Sequence, residues 1–264
     1  MLSVHEIIER ALRERIQAAL GPRARRDDPF PHVVIDDFLP PWIFQALEAS
    51  FPSDETFDRA GKPTSRGRAN FQEGQPEFTN LLNQSDAWAG FENAVHSRWF
   101  QEALMSPFLE TLGAHGCRWR PSYGTSATLH VSKAGDAYQR SPHIDNRHRL
   151  VAGLLYFNSV ADFAKRGGDF WLVDGRGLPE NLRRQRFLEW EEVVDAPVTK
   201  VSPAPNRFVV FLNTSEAYHA VDRLEAAGAR RAFCYLALDG VTTESDLWPE
   251  LAVDDERILA FRRE

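Results

Sequence analysis

Three residues in this chain have the types and spacing to hold a metal ion: His143 and Asp145, one residue apart, and His219 far downstream. In an extended segment, residues i and i+2 point to the same face, so His143-Ile144-Asp145 presents an imidazole and a carboxylate together. Two neutral imidazoles and one carboxylate cap one face of an octahedral ion and leave three positions open. That arrangement suits non-haem Fe(II), where the open positions take a cosubstrate and O2. A bare His-x-Asp is a weak signal, because a loop ion pair or hydrogen bond accounts for it equally well. The surrounding elements have to decide.

The chain is large enough to frame such a site. Its 264 residues are 43% hydrophobic and 26% charged, with 18 Phe and 7 Trp to fill a core, the balance of a soluble globular protein. All-β sandwiches and barrels reach this length as one domain. A net charge of −7 argues against a general nucleic-acid or anionic-membrane binder. Two cysteines, Cys117 and Cys234, exclude a disulfide framework and a zinc ribbon and fit a reducing cytoplasm. Charges interrupt the stretch from Met1 to Leu20, so no signal-peptide core is read there. No apolar run reaches the length of a membrane span.

Helical spacing of Ile7, Ile8, Ala11, Leu12, Ile16 and Leu20 predicts an amphipathic helix from Val4 to Leu20, stopped by Gly21-Pro22. His32 to Leu39 reads as a strand, followed after Pro40-Pro41 by a helix to about Ser50. Residues 52–80 are polar with little periodicity, and the sequence leaves open a flap over a pocket or a plain surface loop. Trp88, Phe91, Val95, Trp99, Phe100, Leu104, Phe108 and Leu112 predict helices over 85–114, split near Pro107. Short strands with turn signals then dominate: within Cys117–Val131, Leu150–Asn158, Phe170–Val173, Val198–Val201, Arg207–Leu212 and Ala232–Leu238. Pro179 to Glu192 reads as a charged helix. The expected organisation is one domain over 1–264, with supporting helices in 1–116, a β core in 117–240 and a tail in 241–264. For that tail a closing helix and a homodimer contact both stay open.

Read in order, His143-Ile144-Asp145, Leu155-Tyr156-Phe157-Asn158, Gly167-Gly168-Asp169-Phe170, Pro205 to Phe211, Tyr218-His219-Ala220-Val221 and Gly228 to Phe233 resemble the Fe(II)/2-oxoglutarate-dependent oxygenases. The prolyl-hydroxylase-like branch is nearest, and Pro29 to Pro40 resembles its N-terminal strand. Six pieces in order make a far more specific match than any one of them. The resemblance implies a β-rich α+β fold, a double-stranded β-helix (jelly roll) with N-terminal supporting helices. It implies Fe(II), 2-oxoglutarate and O2, with His143, Asp145 and His219 as iron ligands.

A basic residue after the second histidine would hold the far carboxylate of 2-oxoglutarate, which a planar guanidinium suits. Arg230 and Arg231 compete for this role and face opposite sides of a strand. The family pattern of Arg, one intervening residue and a small residue favours Arg230, with Ala232 and Cys234 on its face. Tyr156 matches a tyrosine that also touches the cosubstrate; an ordinary core tyrosine is the alternative. His130 reads as a satisfied core histidine before a pocket residue, and His148 as a turn residue before a ligand. Gly167-Gly168 is read as a turn needing positive φ.

Because Asp145 is present, hydroxylation of an unactivated C–H bond is expected over halogenation, with release of succinate and CO2. The substrate would be a small molecule or an amino-acid or peptide side chain. Arg118, Arg120, Arg147 and Arg149 are candidates to meet an acidic one. The competing reading is a cupin-like barrel that binds a metal or a sugar without oxygen chemistry. It would need neither an arginine in the cavity nor affinity for 2-oxoglutarate.

Overall fold

The computed structural model describes residues 2–64, 68–114, 124–133, 139–146, 149–159, 167–183, 185–225 and 229–239. The expectations for Arg118, Arg120, Arg147, His148 and the tail after residue 240 lie outside these residues.

Two antiparallel sheets face each other. The larger has seven strands in the order β1-β9-β6-β11-β4-β3-β2. These are β1 (His32–Ile35), β9 (Phe208–Leu212), β6 (Arg149–Tyr156), β11 (Arg230–Asp239), β4 (Thr125–Lys133), β3 (Arg68–Gln72) and β2 (Lys62–Thr64). The smaller runs β5-β10-β7-β8, formed by β5 (Arg140–His143), β10 (Ala217–Val221), β7 (Phe170–Asp174) and β8 (Val198–Val201).

One face of the large sheet is covered by helices. Helix α1 (Val4–Ala19) begins in a capping box in which Ser3 and Glu6 satisfy each other's backbone N–H. It buries Ile8, Leu12 and Ile16 against α5 (Asp86–His96) and α6 (Arg98–Met105). Serines cap α5 and α6, with Ser85 accepting from Trp88 N and Ser97 from Phe100 N. These helices and the outer face of the sheet share one apolar core, into which Leu129, Leu155, Ala232, Cys234, Leu236 and Leu238 point. A second, smaller cluster between the sheets includes Phe30, Phe170, Leu172, Phe211 and Phe233.

Two regions depart from the sequence reading. Residues 52–80 contain a helix, α3 (Asp54–Ala60), the β2–β3 hairpin, and the start of α4 (Pro76–Gln84). β3 extends the large sheet by pairing with β4. Nor is Pro179–Glu192 one helix. A short helix spans Glu180–Arg183 and a 3-10 turn Trp190–Val193. Between them the chain is drawn out along the open edge of β5: Ile144 N donates to Arg186 O at 3.0 Å and Leu188 N to Pro142 O at 2.8 Å. Pairing with an unsatisfied edge outweighs the local helical preference there. Gly167 and Gly168 do take positive φ, +91° and +81°. At Gly167 a Cβ would lie 2.1 Å from Arg223 O, so glycine is required on two counts.

Candidate active site

His143 and His219 meet because they are directly opposed residues of β5 and β10. Their ring centroids are 4.3 Å apart. Asp145 lies just beyond the end of β5. Its Oδ1 is 4.0 Å from His143 Nε2 and 3.8 Å from His219 Nε2. These three atoms converge closely enough to share one ion.

The tautomers are fixed from behind. His143 Nδ1 is 2.9 Å from Ser141 O and His219 Nδ1 is 3.2 Å from Ala217 O. A carbonyl only accepts, so each Nδ1 carries the proton and each Nε2 keeps its lone pair toward Asp145. Arg140 Nε donates to that lone pair of His143 at 3.3 Å. Burial pushes both imidazoles below their ordinary range, which keeps them neutral, the state a metal needs.

Burial alone would raise the Asp145 carboxyl, but His219, Arg149, His143 and a hydrogen bond from Tyr235 outweigh it and hold it well below the usual carboxylate range. Tyr235 Oη donates to Asp145 Oδ2 at 2.6 Å and accepts from Arg149 Nη1 at 2.8 Å. Burial, with Asp145 beside it, pushes the Tyr235 phenol well up, so it stays a donor. One carboxylate oxygen is thereby occupied and the other left for a metal.

A cavity of about 370 Å³ opens beside these groups. Its floor is the inner face of the large sheet, whose rows follow from the register. Arg231, Ser132 and Arg68 form one row across β11, β4 and β3. Tyr156, Phe233, His130 and Asn70 form the next. Leu154, Tyr235, Thr128 and Gln72 form the third.

The face argument for the two arginines comes out reversed. Arg231 is 1% exposed and lines the cavity. Its guanidinium lies 4.6 Å from the Phe233 ring centroid and 5.2 Å from that of Tyr156. Arg230 turns to the other side, where Nε meets Asp54 Oδ1 at 2.7 Å. The alternation was correctly read: Arg230, Ala232 and Cys234 do share a face. That face, however, packs toward the helices, and the strand is buried on both sides, so apolar content could not identify the cavity. Ala232 is therefore not the small residue beside the cavity arginine; Phe233 stands there. Asn158 holds the backbone on both sides of Arg231, donating to Arg230 O at 2.5 Å and accepting from Ala232 N at 3.1 Å.

Tyr156 is fully buried, and its hydroxyl accepts from Arg231 Nη2 at 2.8 Å. It braces the arginine from behind. His130 faces the cavity with Nδ1 buried and without a partner, which corrects its reading as a satisfied core residue. Arg149 is engaged by Asp145 and Tyr235. Tyr235, Arg68 and Asn70 were not found from the sequence. The alternation of β11 would have given Tyr235 once its inner face was known.

The arrangement fits a ferrous ion and a dicarboxylate. Two neutral imidazoles and a carboxylate are a suitable donor set. Arg231, which lines this cavity, keeps its Nε buried without a partner, as expected of a group awaiting a ligand.

The comparisons agree. Residues 129–236 match the 2OG-Fe(II) oxygenase superfamily. Among curated proteins, none matches the chain in sequence. A prolyl 4-hydroxylase from Phytophthora capsici is similar over 99% of this chain and 74% of its own, with a TM-score of 0.52 and 19% identity. One from Pseudomonas putida is similar over 87% and 99%, at 0.51 and 15%. A prolyl hydroxylase from Trichoplax adhaerens, solved with a hypoxia inducible factor peptide, is similar over 98% and 95%, at 0.53 and 17%. At these identities the likeness is one of fold: the sheets and helices are those of a double-stranded β-helix. No helix among the described residues is long and apolar enough to cross a membrane.

Proposed function

We propose that this chain, which matches the 2OG-Fe(II) oxygenase superfamily over residues 129–236, is a member of it and hydroxylates a C–H bond of a small molecule or an amino-acid side chain. The observation that carries this reading is a metal-ligand set and a buried arginine in one cavity. His143 Nε2, His219 Nε2 and Asp145 Oδ1 would hold Fe(II), and Arg231 the far carboxylate of 2-oxoglutarate.

When bound, the ion and its cosubstrate supply an O2-dependent oxidation that turns 2-oxoglutarate into succinate and CO2 and gives one oxygen atom to the substrate. The residues of the chain do the positioning. Tyr235 keeps Asp145 Oδ2 occupied. Phe233 and Tyr156 hold the Arg231 guanidinium, and the Tyr156 hydroxyl takes one of its N–H groups, leaving others for a carboxylate. Phe170 and Phe211 pack on the His219 ring with centroids 5.6 and 4.7 Å away. They fix its orientation and keep water off that side.

A cavity of about 370 Å³ lies at the small end of ligand clefts, about 300–1,000 Å³. With 2-oxoglutarate inside, the remaining room suits a small molecule or one side chain. The first prediction tests this reading: Fe(II)-dependent release of succinate from 2-oxoglutarate in wild type, abolished by His143→Ala. Calorimetry with 2-oxoglutarate under anaerobic Mn(II) separates it from a cupin-like barrel, which would take the metal and leave the dicarboxylate unbound.

A further inference from the structure

The cosubstrate reading uses only part of the cavity wall. Arg231 and Tyr235 stand on the same strand, with Phe233 between them, so a dicarboxylate reaching from Arg231 toward Asp145 would run along β11. The row of Phe233 continues sideways to His130 on β4 and Asn70 on β3. Neighbouring strands lie about 4.8 Å apart, which puts these two residues one and two steps away from that track. Both line the cavity, and both are at most 5% exposed. Within the row, Tyr156 is satisfied by Arg231 and Phe233 has no polar side-chain atom to satisfy. The other two are left short: His130 Nδ1 and Asn70 Oδ1 are buried without a partner.

Two orphaned polar atoms side by side cost the fold stability unless something enters to meet them. His130 and Asn70 are directly opposed in the antiparallel register, close enough for one group to meet both. The chemistry of that group follows from what faces it. Burial, with the charges of Arg68, Arg231 and Arg149 nearby, pushes the His130 imidazole well below its ordinary range. It therefore stays neutral, with one donor and one acceptor nitrogen. Its ring lies nearly flat against Phe233, with centroids 4.9 Å and planes 25° apart, which holds the ring plane in place. The Asn70 amide also brings both a donor and an acceptor, and a half-turn only exchanges them. The complement is an uncharged group with an N–H beside a carbonyl oxygen. A carboxylate or a phosphate carries acceptors alone and would leave an acceptor of the pair unmet.

Resting on the iron and 2-oxoglutarate reading, we propose that His130 and Asn70 form a specificity subsite that seats a carboxamide group of the molecule to be oxidised, each residue meeting one side of its donor and acceptor. The substrate is uncharged at this point and is held on β3 and β4 while its reacting carbon is presented to the metal. Thr128 and Gln72 are the next opposed pair on these strands, and Gln72 is exposed. A polar lane thus continues from the subsite to the outside.

The test uses the full chain loaded with Mn(II) and 2-oxoglutarate under anaerobic conditions, after calorimetry has measured 2-oxoglutarate binding. Acetamide, acetone and acetate are then titrated, and the relaxation that Mn(II) induces in their methyl protons reports binding beside the metal. Acetamide should bind more tightly, by about fivefold or more, than acetone, which has the carbonyl without the N–H. His130→Phe, which keeps the stacked ring, and Asn70→Leu should each bring acetamide down to the level of acetone. Both variants should keep their 2-oxoglutarate affinity within twofold, which also shows that they fold, and their denaturation midpoints should not drop. A purely structural pair would do the reverse, losing stability and leaving the acetamide preference intact. The subsite is refuted if acetamide and acetone bind alike to wild type, or if the preference survives in either variant. It is refuted as well if acetate outbinds acetamide in wild type and loses that advantage in Asn70→Leu, since the pair would then serve an anion. A variant that loses 2-oxoglutarate assigns its residue to the cosubstrate and also refutes the subsite. Wild type that fails to bind 2-oxoglutarate at all sinks the cofactor reading, and this one with it.

Discussion

The two faces of β11 are equally buried and do opposite work. Toward the helices, Ala232, Cys234, Leu236 and Leu238 are at most 1% exposed and pack into the apolar core. Toward the other sheet, Arg231 is just as inaccessible, yet its Nε lacks a partner. The face with complete packing holds the fold, and the face with incomplete hydrogen bonding awaits a ligand. The contrast is sharpest in substitutions that hit one face and spare the other. Leu236→Ala should give the largest effect, a loss of about 2–5 kcal/mol in unfolding free energy. Chemical denaturation would measure it, while 2-oxoglutarate affinity stays within twofold. A large drop in that affinity at unchanged stability would erase the distinction.

On the inner face the signs are exchanged. Arg231→Gln removes a charge-assisted, two-pronged contact worth about 1.5–3 kcal/mol, so 2-oxoglutarate should bind roughly 10- to 150-fold more weakly to the Mn(II)-loaded protein. The denaturation midpoint should hardly move, because the substitution takes away a buried cation that the fold itself leaves partly unsatisfied. Affinity within twofold of wild type would put the anchor elsewhere.

The same contrast explains which parts of the molecule could be read in advance. The helices over 4–20 and 85–114 were legible because their outward and inward sides differ in polarity, which is what periodicity detects, and the core strands because they are short apolar runs between turn signals. The His-x-Asp pair and His219 were legible through residue type and order. That they would be opposed residues of β5 and β10 was not, because pairing is a long-range property. Arg230 was preferred over Arg231 because both sides of their strand are buried. β3 was passed over for a related reason. Arg68-Ala69-Asn70-Phe71-Gln72 does alternate with period two, but its inward residues are the polar ones, facing a polar cavity. A rule that expects apolar residues inside reads such a strand as a loop. Inverted alternation next to a metal motif is a signal for a wall that binds something.

Tyr235 carries the comparison to the metal. It sits on the inner face beside Arg231, and its Oη–Asp145 Oδ2 distance of 2.6 Å is that of a strong hydrogen bond to a carboxylate. Groups that orient a metal ligand in this way are commonly worth 10- to 100-fold in metal affinity. Tyr235→Phe should therefore weaken Mn(II) binding by about that factor, read by titration under anaerobic conditions. Because Arg231 is untouched, 2-oxoglutarate affinity at saturating metal should change little. Loss of dicarboxylate binding with metal affinity intact would move Tyr235 from the ligand's support to the cosubstrate's.

The smallest effect belongs to Arg230, one residue from Arg231 and on the wrong side. Its ion pair with Asp54 is partly exposed, with side chains 22% and 34% accessible, and such pairs contribute about 0–1 kcal/mol. The guanidinium also lies 5.8 Å from the Phe51 ring centroid, a contact on the helix side of the sheet. Arg230→Gln should thus lower stability by less than about 1 kcal/mol, with an effect that shrinks further in high salt as the pair is screened. Its 2-oxoglutarate affinity and turnover should match wild type within twofold. Two adjacent arginines would then differ by one to two orders of magnitude in cosubstrate binding, and the cause would be the strand's alternation alone. Equal losses in the two variants would mean that β11 does not present Arg231 to the cavity, and the orientation on which the cosubstrate site depends would be wrong.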